Sequence, residues 1–300
     1  MNFILIAICL LSGLVLRLSG ILPENSHRGI NAWILYIALP AVSLLYIPAI
    51  TWSSALILPV MMPLLVWSGA WLILKLSARR FALDRGTHAT LLLTIGLGNT
   101  SFIGFPLTQA YFGDEGLRIA VICDQVGFVI FSTLGVMTAL KASHHSESGM
   151  KKMIKNIICF PSFLAFVAAL ILPRFTDLTL LNPLLTKVAS TLVPLALFSV
   201  GLQIRFSEWK TELRPLFLGL VYKLLFAPAI VFCAAFIFQL KGIIPQASVF
   251  EAAMAPMVTS AILAAEYQLS PRLPNLIVSI GIVISIATTG LWYMILRTIF

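Results

Sequence analysis

Charge is what this sequence has least of. Only 10% of its residues are Asp, Glu, Lys or Arg, against about 25% in an ordinary soluble domain. With 60% hydrophobic residues and a mean hydropathy of +1.01, that scarcity excludes a water-soluble enzyme or binding domain. No polar block of domain size interrupts the chain, and the longest polar stretch, Lys141 to Asn156, is too short to fold alone. Cysteine is sparse too. Cys9, Cys123, Cys159 and Cys233 lie far apart in apolar segments, which excludes a disulfide framework and a thiolate metal site. Of the four histidines, only His88 falls at the start of a long apolar segment, and no motif pairs it with a Ser, Cys or carboxylate. His144 and His145 read as solvated. A nucleophile–base enzyme is therefore excluded, and no metal or organic cofactor is expected, although coupling to H⁺ or Na⁺ stays open. The net charge of +9 does not indicate nucleic acid, because the basic residues are spread over short loops.

What is abundant is unbroken apolar sequence. A bilayer core about 30 Å thick needs roughly 20 apolar residues per helix. Polar breaks divide the chain into ten such segments, approximately 3–20, 29–49, 54–76, 87–112, 117–140, 156–173, 184–204, 214–239, 246–268 and 272–297. The runs are continuous rather than alternating, so membrane strands are excluded. The first segment has no basic residue before it and no small-residue cleavage site after it, and reads as a retained span. Fourteen of the 20 Lys and Arg residues fall in loops after the odd-numbered helices and five on the opposite side. Positive loops stay cytoplasmic, so both termini are expected outside.

Ten helices with both ends on one side divide into two groups of five that enter the membrane in opposite directions. The expected division is a first repeat over residues 1–140, a cytoplasmic linker over 141–156 and a second, inverted repeat over 157–300. Traces of the repeat are visible. Ile37-Ala38-Leu39-Pro40 in helix 2 parallels Thr191-Leu192-Val193-Pro194 in helix 7, and Ala110-Tyr111 at the end of helix 4 parallels Glu266-Tyr267 at the end of helix 9. The fold class is thus an all-α integral membrane protein of ten transmembrane helices, arranged as two inverted five-helix repeats.

Helices 4 and 9 carry the anomaly. Helix 4 contains GLGNTSFIGFP, Gly96 to Pro106, and helix 9 contains Pro256. Proline has no N–H and crowds the carbonyl four residues back, so Pro106 is expected to free the Phe102 carbonyl and Pro256 that of Ala252. Unsatisfied backbone in hydrocarbon costs several kcal/mol, and a broken helix survives only where protein, water or ligand covers the break. Two breaks at similar depth in equivalent helices predict a central site. Its half-helix ends, lacking mutual partners, would offer N–H donors to an anion. The expected contacts are Asn99, Thr100, Ser101, the backbone around Pro106 and Pro256, and the hydroxyls of Thr259 and Ser260.

Four further polar residues fall inside spans. Asp124, beside Gln125 in helix 5, and Lys223 in helix 8 are expected an axial distance of roughly 6–7 Å apart by rise per residue, within reach of a pair. Otherwise Asp124 binds the coupling ion, or Lys223 snorkels to the headgroups. Glu251 lies near the outer surface and reads as lining the entry or as an interfacial carboxylate.

The stretch GNTSFIGFPLTQAYFGDEG resembles the fourth-helix motif of the auxin efflux carrier family, on Asn99, Thr100, Gly104, Pro106, Leu107, Tyr111 and Gly113. AAMAPMVTSAILAAEY, Ala252 to Tyr267, resembles its ninth-helix signature, and LVPLALFSVGLQI its seventh helix. The resemblance spans nearly the whole chain. It implies a fold related to the bile acid/sodium symporters, in which helices 4 and 9 cross where they are broken. It further implies a secondary carrier of a small organic anion working by alternating access, and a scaffold domain that often forms a homodimer. On the motif, Asn99 and Thr100 contact substrate. Pro256 stands one place later than the family's usual proline and no asparagine accompanies it. The short linker points to the compact bacterial form in an inner membrane. A sodium-coupled symporter and an anion channel are the rival readings.

Overall fold

A computed structural model describes residues 2–78, 80–81, 83–143, 160–177, 179–205 and 212–300. Most of the expected linker lies outside the described residues, as do His144, His145 and Cys159. The described residues form helices and turns with no strand, as they must if every backbone polar group in lipid is to be satisfied within its own segment. Among them, six helical stretches are long and apolar enough to cross a bilayer: Ser26–Ala49 (α2), Ser54–Ser77 (α3), the run Thr100–Ala142, Thr179–Gln203 (α8), Leu213–Ile237 (α9) and Leu273–Ile299 (α12). Shorter apolar helices are α1, Asn2–Leu18, and α7, Pro161–Arg174. The remaining helices are α4 (Arg85–Ile95), α10 (Ile243–Ala252) and α11 (Val258–Glu266). Ile8, Leu72, Phe217 and Ile237 stand exposed, a distribution suited to lipid rather than water.

The run Thr100–Ala142 is two helices. Gly113 has φ +66° and ψ −161°, a left-handed backbone that glycine adopts without steric cost. It separates α5 (residues 100–112) from α6 (residues 114–142), at the boundary expected between the fourth and fifth spans. Elsewhere the backbone takes close approaches. A Cβ on Gly13 in α1 would lie 2.2 Å from the Phe198 carbonyl in α8, and one on Gly201 in α8 would lie 2.2 Å from the Leu10 carbonyl. Small residues let these two helices touch backbone to backbone, the usual way apolar helices associate in lipid.

Proline acts differently from expectation. Three π-turns end two residues before a proline: Ile34–Ala38 before Pro40, Thr100–Gly104 before Pro106, and Tyr222–Phe226 before Pro228. In each, the residue just before the proline donates five residues back: Leu39 to Ile34, Phe105 to Thr100 and Ala227 to Tyr222. The widened turn displaces the carbonyl that the ring would strike. Pro106 therefore sits within α5 without breaking it. The break lies upstream, at Gly96–Asn99.

Candidate functional site

α4 begins with Asp84, whose carboxylate accepts from the backbone N–H groups of Gly86 and Thr87. The helix stops after Ile95 because the glycines of Gly96-Leu97-Gly98 have little helical preference, and the chain stays unwound through Asn99 before α5 starts. In the second half α10 stops after Ala252, and Pro256 blocks its continuation until Met257 leads into α11. The two unwound segments meet as an isolated antiparallel bridge, Gly98 against Pro256. The Asn99 N–H donates to the Ala255 carbonyl at 2.9 Å, and the Met257 N–H donates to the Thr94 carbonyl at 3.2 Å. The expectation that the broken ends lack mutual partners is thus corrected: each break satisfies part of the other, because orphaned backbone groups in a buried site pair where they can.

The carbonyl freed beside Pro256 is also satisfied. Ala252 O accepts from Lys223 Nζ at 2.9 Å. Lys223 has 0% exposure, so it does not snorkel. It sits on the π-turn Tyr222–Phe226 of α9. Its ammonium lies so close to the first break that a Cβ on Gly98 would stand 3.2 Å from it. No ion pair joins it to Asp124; its electrostatic partner is Glu251. The reason is geometric: the broken end of α10 presents both the Ala252 carbonyl and Glu251 to the lysine.

Asp124 is held instead by Thr100, whose hydroxyl donates to Oδ1 at 2.5 Å, with Ser101 also facing the carboxylate. Gln125 Nε2 donates to Asp124 Oδ2 at 3.4 Å and to Ser162 Oγ at 3.3 Å. Glu251 is fully buried rather than interfacial, because α10 turns it inward against α5. Its Oε1 accepts from the Thr108 hydroxyl at 2.6 Å, while Oε2 has no partner among the described residues. A Cβ on Gly104 would stand 2.3 Å from that Oε2, so the carboxylate occupies the space that glycine leaves.

A cavity of about 180 Å³ opens beside the crossing. Thr100, Ser101, Asp124, Gln125, Lys223, Glu251 and Thr259 supply its polar wall, with Leu39, Met62, Val66, Phe102 and Phe128 among the apolar residues. Phe128 stacks on Phe160 with ring centroids 4.3 Å apart, and both line it. Asn99 stands behind this wall, between Gly98 and Thr100, buried, with Nδ2 lacking a partner among the described residues. Pro256 and Ser260 are buried behind Met257 and Thr259 and do not line the cavity. Pro106 lines a different cavity, with Tyr46, Gln109 and Asp114. Sequence reasoning missed Thr108. The signal was available: Thr100, Gly104 and Thr108 recur every four residues, which puts them on one helix face.

Broken, paired half-helices beside a small cavity with a polar patch, in an apolar, many-helix protein, are the architecture of a membrane transporter. The chain belongs to the auxin efflux carrier family: the profile described as "Membrane transport protein" matches residues 2–293. It is similar to an uncharacterised transporter of Methanothermobacter thermautotrophicus, at 26% identity over 294 residues, covering 97% of this chain and 96% of the relative. It is equally similar to an uncharacterised transporter of Methanocaldococcus jannaschii, at 26% identity over 302 residues and 98% and 97% coverage.

Proposed function

We propose that this protein is a secondary carrier that moves a small organic anion, a carboxylate, across the membrane by alternating access. α4 with α5 forms one broken span and α10 with α11 the other, within ten spans arranged as two inverted five-helix repeats. Both termini then lie outside a prokaryotic plasma membrane, as the distribution of Lys and Arg favours. The observation that carries the reading is a set of unused donors at the crossing. Asn99 Nδ2 is buried without a partner among the described residues, and Lys223 has three N–H donors of which Ala252 takes one. A buried polar group left unsatisfied costs about 1–3 kcal/mol, and a bound carboxylate would remove that cost.

The two acidic residues do not oppose this reading. Each already accepts a threonine hydroxyl, and the lysine offsets part of their charge. The cavity wall, mostly apolar with one polar patch, suits an anion with a hydrocarbon body better than a sugar. Alternating access would carry the paired breaks as a unit against a scaffold containing α1 and α8, whose glycine contact locks them together. That scaffold is also where a homodimer would form.

The test is thermal stabilisation of purified protein by a panel of carboxylates, followed by uptake of the best ligand into vesicles. Asn99→Ala should leave the unliganded protein as stable as wild type and weaken ligand stabilisation at least tenfold in concentration. Stabilisation undiminished in Asn99→Ala removes Asn99 from the site. Uptake that does not saturate would favour a channel.

A further inference from the structure

We infer that the paired ends of α1 and α8 carry a binding site for the phosphate of an anionic phospholipid, in a cavity separate from the crossing. The cavity measures about 430 Å³ and is walled by Arg17, Gly20, Glu24, His27, Leu202 and Arg205 among others. None of these six lines the cavity at the crossing. Backbone geometry brings the two arginines to one place. Gly13 and Gly201 let α1 and α8 touch backbone to backbone, and each arginine stands four residues beyond its glycine. Gly20, with φ +68°, turns the chain back after α1, and its N–H donates to the Arg17 carbonyl at 3.2 Å, closing the helix end as glycine commonly does. The Arg205 backbone N–H donates to Ser279 Oγ of α12 at 2.8 Å, which fixes the base of that side chain.

Two guanidiniums in one wall repel, and one acid answers them. Glu24 lies 3.6 Å from Arg205, but its side chain is 87% exposed, and an ion pair so open to water contributes little. Arg17 has no ion pair among the described residues. Even with His27 counted neutral, the wall keeps one positive charge that Glu24 does not cancel. A phosphodiester carries one negative charge, and its oxygens match the fork of a guanidinium. The surroundings favour a lipid over free phosphate. Leu18 and Ile21, which flank the wall in sequence, are both exposed, and Leu202 adds an apolar surface inside it. An acyl chain covers such residues, whereas inorganic phosphate leaves them in water. The loop belongs to the basic set, so the leaflet is the cytoplasmic one, where basic pockets meet anionic headgroups. Only that choice of leaflet rests on the orientation proposed above, and the site stands apart from the identity of the carried anion.

The probes are phosphatidylglycerol, phosphatidylcholine and inorganic phosphate, each added to the purified full-length protein in neutral detergent. Phosphatidylglycerol should raise the unfolding midpoint saturably, by about 2–4 °C, and the other two should not. Arg17→Gln and Arg205→Gln should each remove most of the rise. Arg80→Gln, which deletes an exposed charge from another basic loop, should keep all of it. The Arg205 side chain is 46% exposed, so Arg205→Gln tests the cavity even where Arg17→Gln does not fold. An equal rise with phosphatidylcholine or with inorganic phosphate would overturn the assignment to an anionic lipid. So would the absence of any rise, a rise that survives Arg205→Gln, or one that falls as far in Arg80→Gln.

Discussion

Two carboxylates flank the crossing, each held by a threonine of α5, and they live in different surroundings. Glu251, at the second break, borders the same cavity yet has no exposure: its Oε1 takes the Thr108 hydroxyl, and glycine makes room for its other oxygen, which seals it from water. Asp124, facing the first break, is half-buried and stands in the cavity wall, where Thr100, Ser101 and Gln125 surround it. The breaks differ in the same way. The second is plugged by Lys223, and the first leaves the Asn99 amide unused. Two spans broken alike have therefore divided the labour. One crossing partner has its freed carbonyl filled from within, and the other keeps its amide for something that arrives.

That contrast is most exposed to Thr108→Val. The substitution keeps the shape of the side chain and removes the hydroxyl that bonds Glu251. A fully buried carboxylate without a donor is costly, about 3 kcal/mol, and the unfolding midpoint should fall by roughly 5–10 °C. Adding Glu251→Gln should recover part of the loss, because a neutral amide tolerates the dry site better than an unpaired carboxylate. A midpoint unchanged in Thr108→Val would mean that Glu251 is not sealed.

Thr100→Val makes the matching change at the first break and should cost less, about 1 kcal/mol. Asp124 loses its shortest hydrogen bond but still has Ser101, Gln125 and the cavity beside it. The two valine variants should also separate by function. Thr100→Val should alter carboxylate binding more than stability, and Thr108→Val the reverse. Equal losses of stability in the two would erase the distinction between a sealed and an open carboxylate.

The first break was legible in the residues, for reasons of backbone chemistry alone. Gly96 and Gly98, two residues of poor helical preference so close together, mark where the helix ends. The residue freed by Pro256 was legible as well, since a proline disturbs the carbonyl four places back and that carbonyl belongs to Ala252. Its partner was not. Lys223 reaches Ala252 across 29 residues of chain and a π-turn, and no periodicity of a single helix predicts that register. Depth counting brought Lys223 and Asp124 together because it knows height in the membrane and nothing of which faces meet. The same blindness placed Pro106 at a break: a proline preceded by a π-turn and a proline in an unwound segment look alike in one dimension. Family membership is carried by nearly the whole chain, whereas the pairing of the two breaks emerges only when both halves are folded together.

A third carboxylate extends the comparison from the dry site into water. Asp84 caps the same broken span at its other end, accepting from Gly86 N–H at 3.1 Å and Thr87 N–H at 3.4 Å in an exposed loop. The Thr87 hydroxyl and these N–H groups hold its carboxyl below its ordinary value of 3.8. A carboxyl depressed in the folded state stabilises the fold fully above its unfolded value, and that contribution fades as the pH falls through the folded one. Asp84→Ala should therefore cost about 0.5 kcal/mol at neutral pH, the smallest effect of the three, and the gap from wild type should narrow on acidification below the aspartate range. Asp84→Asn keeps an oxygen acceptor for the same N–H groups, so it should retain most of the cap while losing the pH dependence. Unfolding midpoints of the three proteins at neutral and acid pH would check this. A gap that widens as the pH drops would reverse the sign of the argument, and would mean that the start of α4 is held by something other than its aspartate.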